Sequence, residues 1–181
     1  MIHPVTVSAL VRAFGDPTDG AALKSRELIL MLLQCSPGPF SRAQFTPGHI
    51  TCTGLVLAPD GERILLVHHR RLDRWLVPGG HVEAGDPEIG DAARREVIEE
   101  TGVGLAPEPA PRLVGLDVHG IPAAKGEPYH LHHDLLFHFR ATAEDLRVSE
   151  ESRAVLWCSP DGFAGYGLPE NLRRAYRRVV A

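Results

Sequence analysis

A double glycine followed by an acidic helical stretch constrains this chain more than any other segment. Residues 79–103 read Gly-Gly-His-Val-Glu-Ala-Gly-Asp-Pro-Glu-Ile-Gly-Asp-Ala-Ala-Arg-Arg-Glu-Val-Ile-Glu-Glu-Thr-Gly-Val. An α-helix advances about 100° per residue, so Glu96, Glu99 and Glu100 share one stripe about 100° wide. Like charges three and four positions apart destabilise a helix modestly unless water or a cation neutralises them. Magnesium suits that task, because it prefers oxygen ligands and is usually held by one or two carboxylates together with substrate phosphates. Val97 and Ile98, with Ala92 and Ala93 a turn earlier, supply an apolar side able to pack on a sheet. Gly102 after Thr101 reads as the stop signal of the helix, and Gly79-Gly80 as a tight backbone turn before it starts.

These residues resemble the signature of the Nudix hydrolase family. That signature runs glycine, five residues, glutamate, seven residues, Arg-Glu, an apolar residue, any residue, Glu-Glu, any residue, glycine and an apolar residue. Gly80, Arg95, Glu96, Val97, Glu99, Glu100, Gly102 and Val103 occupy the matching places. The chain departs at two points: Asp86 stands where the family has its first glutamate, and eight residues rather than seven separate it from Arg95. Counted back from Arg95, that slot falls on Pro87, flanked by Asp86 and Glu88, either of which could substitute.

The rest of the chain agrees with one well-cored domain. It has 181 residues, 44% of them hydrophobic and 23% charged. A net charge of -4 leaves no nucleic-acid polymer footprint, since duplex binding leans on clustered lysine and arginine. No stretch approaches a membrane span and the amino terminus lacks the basic residues that open a secretory signal, so the expected location is cytoplasmic. Cys35, Cys52 and Cys158 are odd in number and widely spaced, which predicts buried reduced thiols rather than a metal knuckle.

Helical spacing of apolar residues predicts helices over 5–14 and 21–34, broken by Gly-Asp-Pro at 15–17. Strand formers fill 50–58 and 63–68, joined by a Pro59-Asp60-Gly61 hairpin turn. Further strands are predicted at 75–77, 113–119, 130–140 and 154–158, with a last helix over 169–180. This pattern fits a mixed sheet with the carboxylate helix packed on it. The family resemblance implies the same: an α/β fold, a Nudix-like α/β/α sandwich with a mixed β-sheet, covering roughly residues 48–165. The expected organisation is an N-terminal helical extension (1–47) and a Nudix hydrolase domain (48–181) ending in a C-terminal helix.

A second constellation lies outside the signature. Alternate residues of a strand share a face, which sets His130, His132, Asp134 and His138 opposite Leu131, His133, Leu135 and Phe137. Asp117 and His119 also share a face, and a hairpin around residues 120–129 would bring the two sets together as a substrate grip or a second metal site. His133 is expected to be structural. His68, His69, Arg70, Arg71 and Arg74 form a basic stretch suited to phosphate, His49 and His81 flank the cleft region, and Trp75 and Trp157 are core or base-stacking rings.

The resemblance implies metal-dependent hydrolysis of a phosphoanhydride bond in a nucleoside diphosphate linked to another moiety. Mg2+ or Mn2+ would be held by Glu96, Glu99, Glu100 and the Gly79 carbonyl, with Arg95 orienting the carboxylates. Glu99 or an acid outside the signature would be the base, and Asp117, Asp134, Glu150 and Glu151 are the outside candidates. His130, His132, Asp134, Asp117, His119, Arg70, Arg74 and His81 are the expected substrate contacts. The expected partner is a small-molecule diphosphate, and the resemblance allows a homodimer. The alternatives are a non-catalytic ligand sensor on the same fold, a metal-binding protein built on the histidine strand, or an enzyme like isopentenyl diphosphate isomerase. The last relies on a cysteine just before its Gly-His pair, where this chain has Leu76-Val77-Pro78-Gly79.

Overall fold

The computed structural model describes residues 2–124 and 126–181. Two helices come first, α1 (Pro4–Ala13) and α2 (Gly20–Cys35). Each starts at a side-chain cap: His3 Nδ1 faces the Val5 amide at 3.2 Å, and Asp19 Oδ1 accepts from the Ala22 amide at 3.1 Å. Strands β1 (Gly48–Leu57) and β2 (Ile64–His69) follow, then β3 (Arg74–Leu76), β4 (Gly79–His81), helix α3 (Ile89–Thr101), β5 (Arg112–Ile121), β6 (His130–Arg140), β7 (Ser152–Cys158) and α4 (Glu170–Val180). The expected β1–β2 turn forms, with Asp60 Oδ1 accepting from the Glu62 and Arg63 amides and Gly61 at φ 79°.

Two expectations are corrected. Gly79-Gly80 is not a turn but part of β4, paired antiparallel to β1 with Thr53 opposite Gly79 and Cys52 opposite Gly80. The chain turns later, where the Glu83 amide donates to Asp86 Oδ2 at 2.7 Å and the Asp86 amide to the Glu83 carbonyl. Cys35 is exposed, at the end of α2, whereas Cys52 and Cys158 are buried free thiols.

The sheet runs β3-β2-β1-β6-β5, with β4 added on β1 and β7 on β2. It is mixed, since β1 and β6 are parallel and the remaining pairs antiparallel. One edge of β1 is shared: Leu57 pairs with β2, while Thr51 to Thr53 pair with β4. Beyond Leu57 and Ile64 the two halves of the sheet therefore part, and a cavity occupies the fork. Ile50, Cys52, Val56, Leu135 and Phe137 pack under α1, α2 and α3; Leu55, Leu57, Ile64, Leu136 and Val114 pack under α4. These three layers are the expected α/β/α sandwich. No helix among the described residues is long and apolar enough to cross a membrane.

The first two helices share that core rather than standing apart, with Val7, Val11 and Ile29 in the cluster that holds Ile50 and Leu116. A charged clasp closes the arrangement across the β5 edge. Arg178 Nη2 donates to Asp16 Oδ2 and Asp19 Oδ2, both at 2.7 Å, and Arg174 Nη1 donates to Asp19 Oδ1 at 2.8 Å. Burial pushes the Asp19 carboxyl up, but hydrogen bonds from Arg178, the Ala22 amide and Arg174 bring it net below its ordinary value. Its contribution to stability is therefore present at neutral pH and lost as the pH falls through its titration. Replacing Asp19 by alanine removes a cap and leaves two guanidinium groups short of a partner, so urea unfolding should show a loss of about 2–4 kcal/mol at neutral pH and a smaller loss in acid.

Candidate active site

Helix α3 is oriented by its apolar side. Ala92, Ala93 and Val97 are fully buried against the sheet, and a Cβ at Gly54 would overlap the Val97 side chain. Ile98, expected on the same face, is instead 42% exposed, because it lies about 100° further round the helix. Gly102 ends the helix at φ 65° with its amide on the Ile98 carbonyl, as expected. This phase separates the three carboxylates. Glu100 is buried, Glu96 nearly so, and the Glu99 side chain is 58% exposed at the mouth.

Glycine in β4 is required by close approach. Glu100 Oε2 accepts the Gly79 amide at 3.0 Å, and a Cβ on Gly80 would stand 2.7 Å from the Glu96 carboxyl carbon. On Gly79 a Cβ would meet β1 itself, 2.5 Å from the Cys52 carbonyl oxygen and 2.6 Å from Thr53 Cα.

Arg95 ties the loop to the cluster. It makes a bidentate pair with Asp86 (Nε–Oδ1 2.9 Å, Nη2–Oδ2 3.0 Å) and donates to Glu96 Oε1 at 3.0 Å, Glu99 Oε2 at 3.1 Å and the His81 carbonyl at 2.9 Å. Asp86, not Glu88, thus faces the arginine across the lengthened loop. The Arg95 hydrogen bonds hold the Asp86 carboxyl below its usual range.

The electrostatics leave room for a cation. Burial raises Glu100 to about 7, the Gly79 amide opposes this, and Glu96 and Glu151 push the same way as burial. Glu96 is also raised by burial, with Arg95 opposing. Glu96, Glu99, Glu100 and Glu151 line one cavity of about 460 Å³ together with Gly79. An all-oxygen donor set with buried, incompletely neutralised carboxylates fits a hard divalent ion such as Mg2+ or Mn2+.

The opposite wall comes from β5 and β6. Their register places Asp117 against Asp134, His119 against His132 and Ile121 against His130, so the two polar faces converge. Asp117, His119, His130, His132 and Asp134 all line the cavity, joined by His49 from β1 and His81 from β4. Asp134 is occupied by Thr51 Oγ1 (2.8 Å) and Thr53 Oγ1 (2.7 Å), and burial raises its carboxyl. His138, predicted on the same face, sits opposite Arg112 at the far end of β6, and His133 is buried on the other face. Burial lowers His81 to about 4 and His132 to about 2, whereas its Asp117 hydrogen bond raises His119.

Among the basic residues, His69 and Arg71 reach the cavity wall. Arg70 instead donates to the Glu150 and Ser152 carbonyls, tying β2 to β7, and Arg74 is exposed on β3 outside the lining. Trp75 lines the cavity; Trp157 packs in the core with Nε1 on the Glu144 carbonyl. Thr51 and Thr53 carried no signal in the sequence, since only the β1–β6 register brings them to Asp134. Of the outside acids, Asp117, Asp134 and Glu151 line the cavity and Glu150 does not.

The family description "NUDIX domain" matches residues 48–181. The chain belongs to the Nudix family. A MutT-like protein of Streptomyces ambofaciens is 32% identical over 113 residues, covering 62% of this chain and 64% of that protein. The m7GpppN-mRNA hydrolase NUDT17 of Danio rerio is 54% identical over 141 residues, covering 64% of this chain and 47% of that protein. The nucleoside triphosphatase NudI of Escherichia coli O6:K15:H31 is 31% identical over 108 residues, covering 58% and 74%. The matched stretch thus spans about half to two thirds of the first two proteins. The MutT protein from Methanosarcina mazei Go1 has the same Nudix fold, with a TM-score of 0.53 at 23% identity over 72% of this chain and 91% of its own.

The two β4 glycines of this Nudix chain should respond differently to alanine. Gly80→Ala displaces only the flexible end of Glu96, so the fold survives and Mg2+ affinity in calorimetry falls about tenfold. Gly79→Ala drives a methyl into the β1 backbone and costs about 2–3 kcal/mol or more in denaturant unfolding. A third measurement concerns pH. In chelator, stability linked to Glu100 is fully present below its ordinary value of 4.5 and is lost as pH rises through about 7, and Glu100→Gln flattens that decline.

Proposed function

We propose that this chain is a metal-dependent hydrolase that splits the phosphoanhydride bond of a nucleoside diphosphate linked to another moiety, or of a related small diphosphate. The observation that carries this reading is the buried Glu96–Glu100 pair, packed against Gly79 and Gly80 and opening with Glu99 and Glu151 into one cavity. The names of the NudI and NUDT17 relatives support the substrate class.

Glu96, Glu99, Glu100 and the Gly79 carbonyl would hold Mg2+ or Mn2+. Such ions, when bound, neutralise diphosphate charge and make a coordinated water acidic enough to attack phosphorus. Glu99 and Glu151 stand at the cavity as acceptors for the water's proton. Arg95 acts as a positioning residue, since its five N–H groups are spent on Asp86, Glu96, Glu99 and the His81 carbonyl. Arg71 on the cavity wall supplies positive charge to a phosphate, and the Trp75 ring supplies an apolar face to a base. Val67, Leu76 and Val77 keep that part of the cavity dry. Free thiols at Cys35, Cys52 and Cys158 are consistent with work in a reducing cytoplasm.

A panel of nucleoside triphosphates, sugar nucleotides, dinucleoside polyphosphates and coenzyme A, assayed with Mg2+ and Mn2+, should show metal-dependent cleavage of at least one member. Glu99→Gln and Glu100→Gln should each lower kcat by about 100-fold or more with the fold intact by circular dichroism. Full activity in both variants, or cleavage unaffected by chelator, would overturn the assignment.

A further inference from the structure

We propose that His49, His81 and His132 form a binding site for a borderline divalent transition metal such as Zn2+ or Co2+, separate from the carboxylate cluster. The three residues come from three strands, β1, β4 and β6, and no local sequence pattern joins them. Their ligating atoms all lie within 4.8 Å of one another. The ring centroids are 4.9 Å apart for His49 and His132, 5.0 Å for His49 and His81, and 5.5 Å for His81 and His132.

His49 shows the state of a waiting ligand. Its Nδ1 lies 3.1 Å from the Gln44 carbonyl, a contact that requires the proton on Nδ1 and leaves Nε2 with a free lone pair. That Nε2 is buried and has no hydrogen-bond partner among the described residues, in a residue only 1% exposed. An orphaned buried acceptor is destabilising, and a metal bond would offset that cost. An imidazole that gives its other N–H to a carbonyl is also the arrangement in which histidine ligates metals. His81 is held on a braced backbone, because Arg95 donates to its carbonyl at 2.9 Å.

The neighbouring histidines lie outside that group of three ligating atoms. His119 is engaged by Asp117 Oδ2 at 2.9 Å, and His130 stacks on His49 at 5.1 Å with Nδ1 against the Pro128 carbonyl. Arg42 and Glu127, whose charges act on His49 and His81 in opposite directions, face each other at 3.8 Å. Burial lowers all three rings from the ordinary imidazole value, which favours the form that offers a lone pair to a cation over the one that offers charge to a phosphate. Imidazole nitrogen selects zinc, cobalt, nickel or copper, whereas the carboxylates select magnesium or manganese. Three protein ligands leave a further position open to water or a substrate oxygen.

The test uses the untagged full chain, stripped with EDTA and desalted. Titration with Co2+ should bring up visible d–d absorption that saturates at one equivalent, and Zn2+ should bleach it. His81→Gln and His132→Gln, checked for folding by circular dichroism, should weaken Co2+ binding at least about tenfold, since loss of an outer-shell partner alone costs that much. Glu99→Gln and Glu100→Gln should keep the cobalt spectrum, which separates this site from the hydrolytic reading whether or not the chain hydrolyses a diphosphate. No cobalt spectrum, a spectrum unchanged in both histidine variants, or one abolished by Glu100→Gln would overturn the proposal. Protection of the wild-type rings by inorganic pyrophosphate without any metal uptake would instead make the cluster an anion wall and also overturn it.

Discussion

The structure around the cavity depends on one guanidinium. Arg95 is the cation that touches Asp86, Glu96 and Glu99 at once, and it also fixes the His81 backbone. Three carboxylates on one helical stripe would otherwise be held in mutual repulsion beside an apolar core. The arginine satisfies part of that charge but does not reach Glu100, whose side chain has, among the described residues, the Gly79 amide as its one hydrogen-bond partner. A partly compensated cluster of this kind has its remaining capacity directed at the cavity, where an added cation would complete the neutralisation. The bidentate pair to Asp86 then explains how a loop one residue longer than the family pattern still delivers β4 to the helix: the shorter acid is reached by the arginine's fork rather than by a matching loop length.

The forked sheet gives the cavity two chemically different walls. One edge of β1 passes from β4 to β2, and the opening between them receives oxygen donors from α3 and nitrogen donors from β1, β4 and β6. His81 belongs to both, with its carbonyl on Arg95 and its ring among the histidines. On the two readings proposed above, hard and borderline cations would be sorted by ligand type rather than by distance, and a diphosphate entering the fork would meet both walls.

Periodicity made most elements readable before the structure. The helices over 4–13 and 20–35, the β1–β2 hairpin and the eleven-residue β6 follow from apolar spacing and turn residues that act locally. The convergence of Asp117, His119, His130 and His132 was also readable, since alternation plus a hairpin determines which side chains meet. Gly79 and Gly80 were misread, because a glycine pair signals a turn and a close approach equally well, and only the β1 partner decides which. Arg70 and Arg71 were indistinguishable as a basic run; one is claimed by β7 carbonyls, which no local signal announces. Thr51, Thr53 and the His49–His132 proximity follow from a parallel β1–β6 pairing, and residues more than eighty positions apart leave no mark on either segment alone.

The first two helices bear on the site through the edge of the sheet. β5 is the last strand in order, and an uncovered edge would present unpaired backbone groups to solvent or to another chain. α2 packs on β5 from one side and α4 from the other, and the Asp16–Asp19–Arg178 clasp joins the two helices around that strand. The same strand carries Asp117 and His119 into the cavity, whose lining also includes Asp19, Ala22 and Arg178. The β5 wall of the cavity is therefore held in place by segments outside the family signature. A change in residues 1–47 that loosens the clasp acts on the shape of that wall while leaving the Arg95 network, anchored on α3 and β4, untouched.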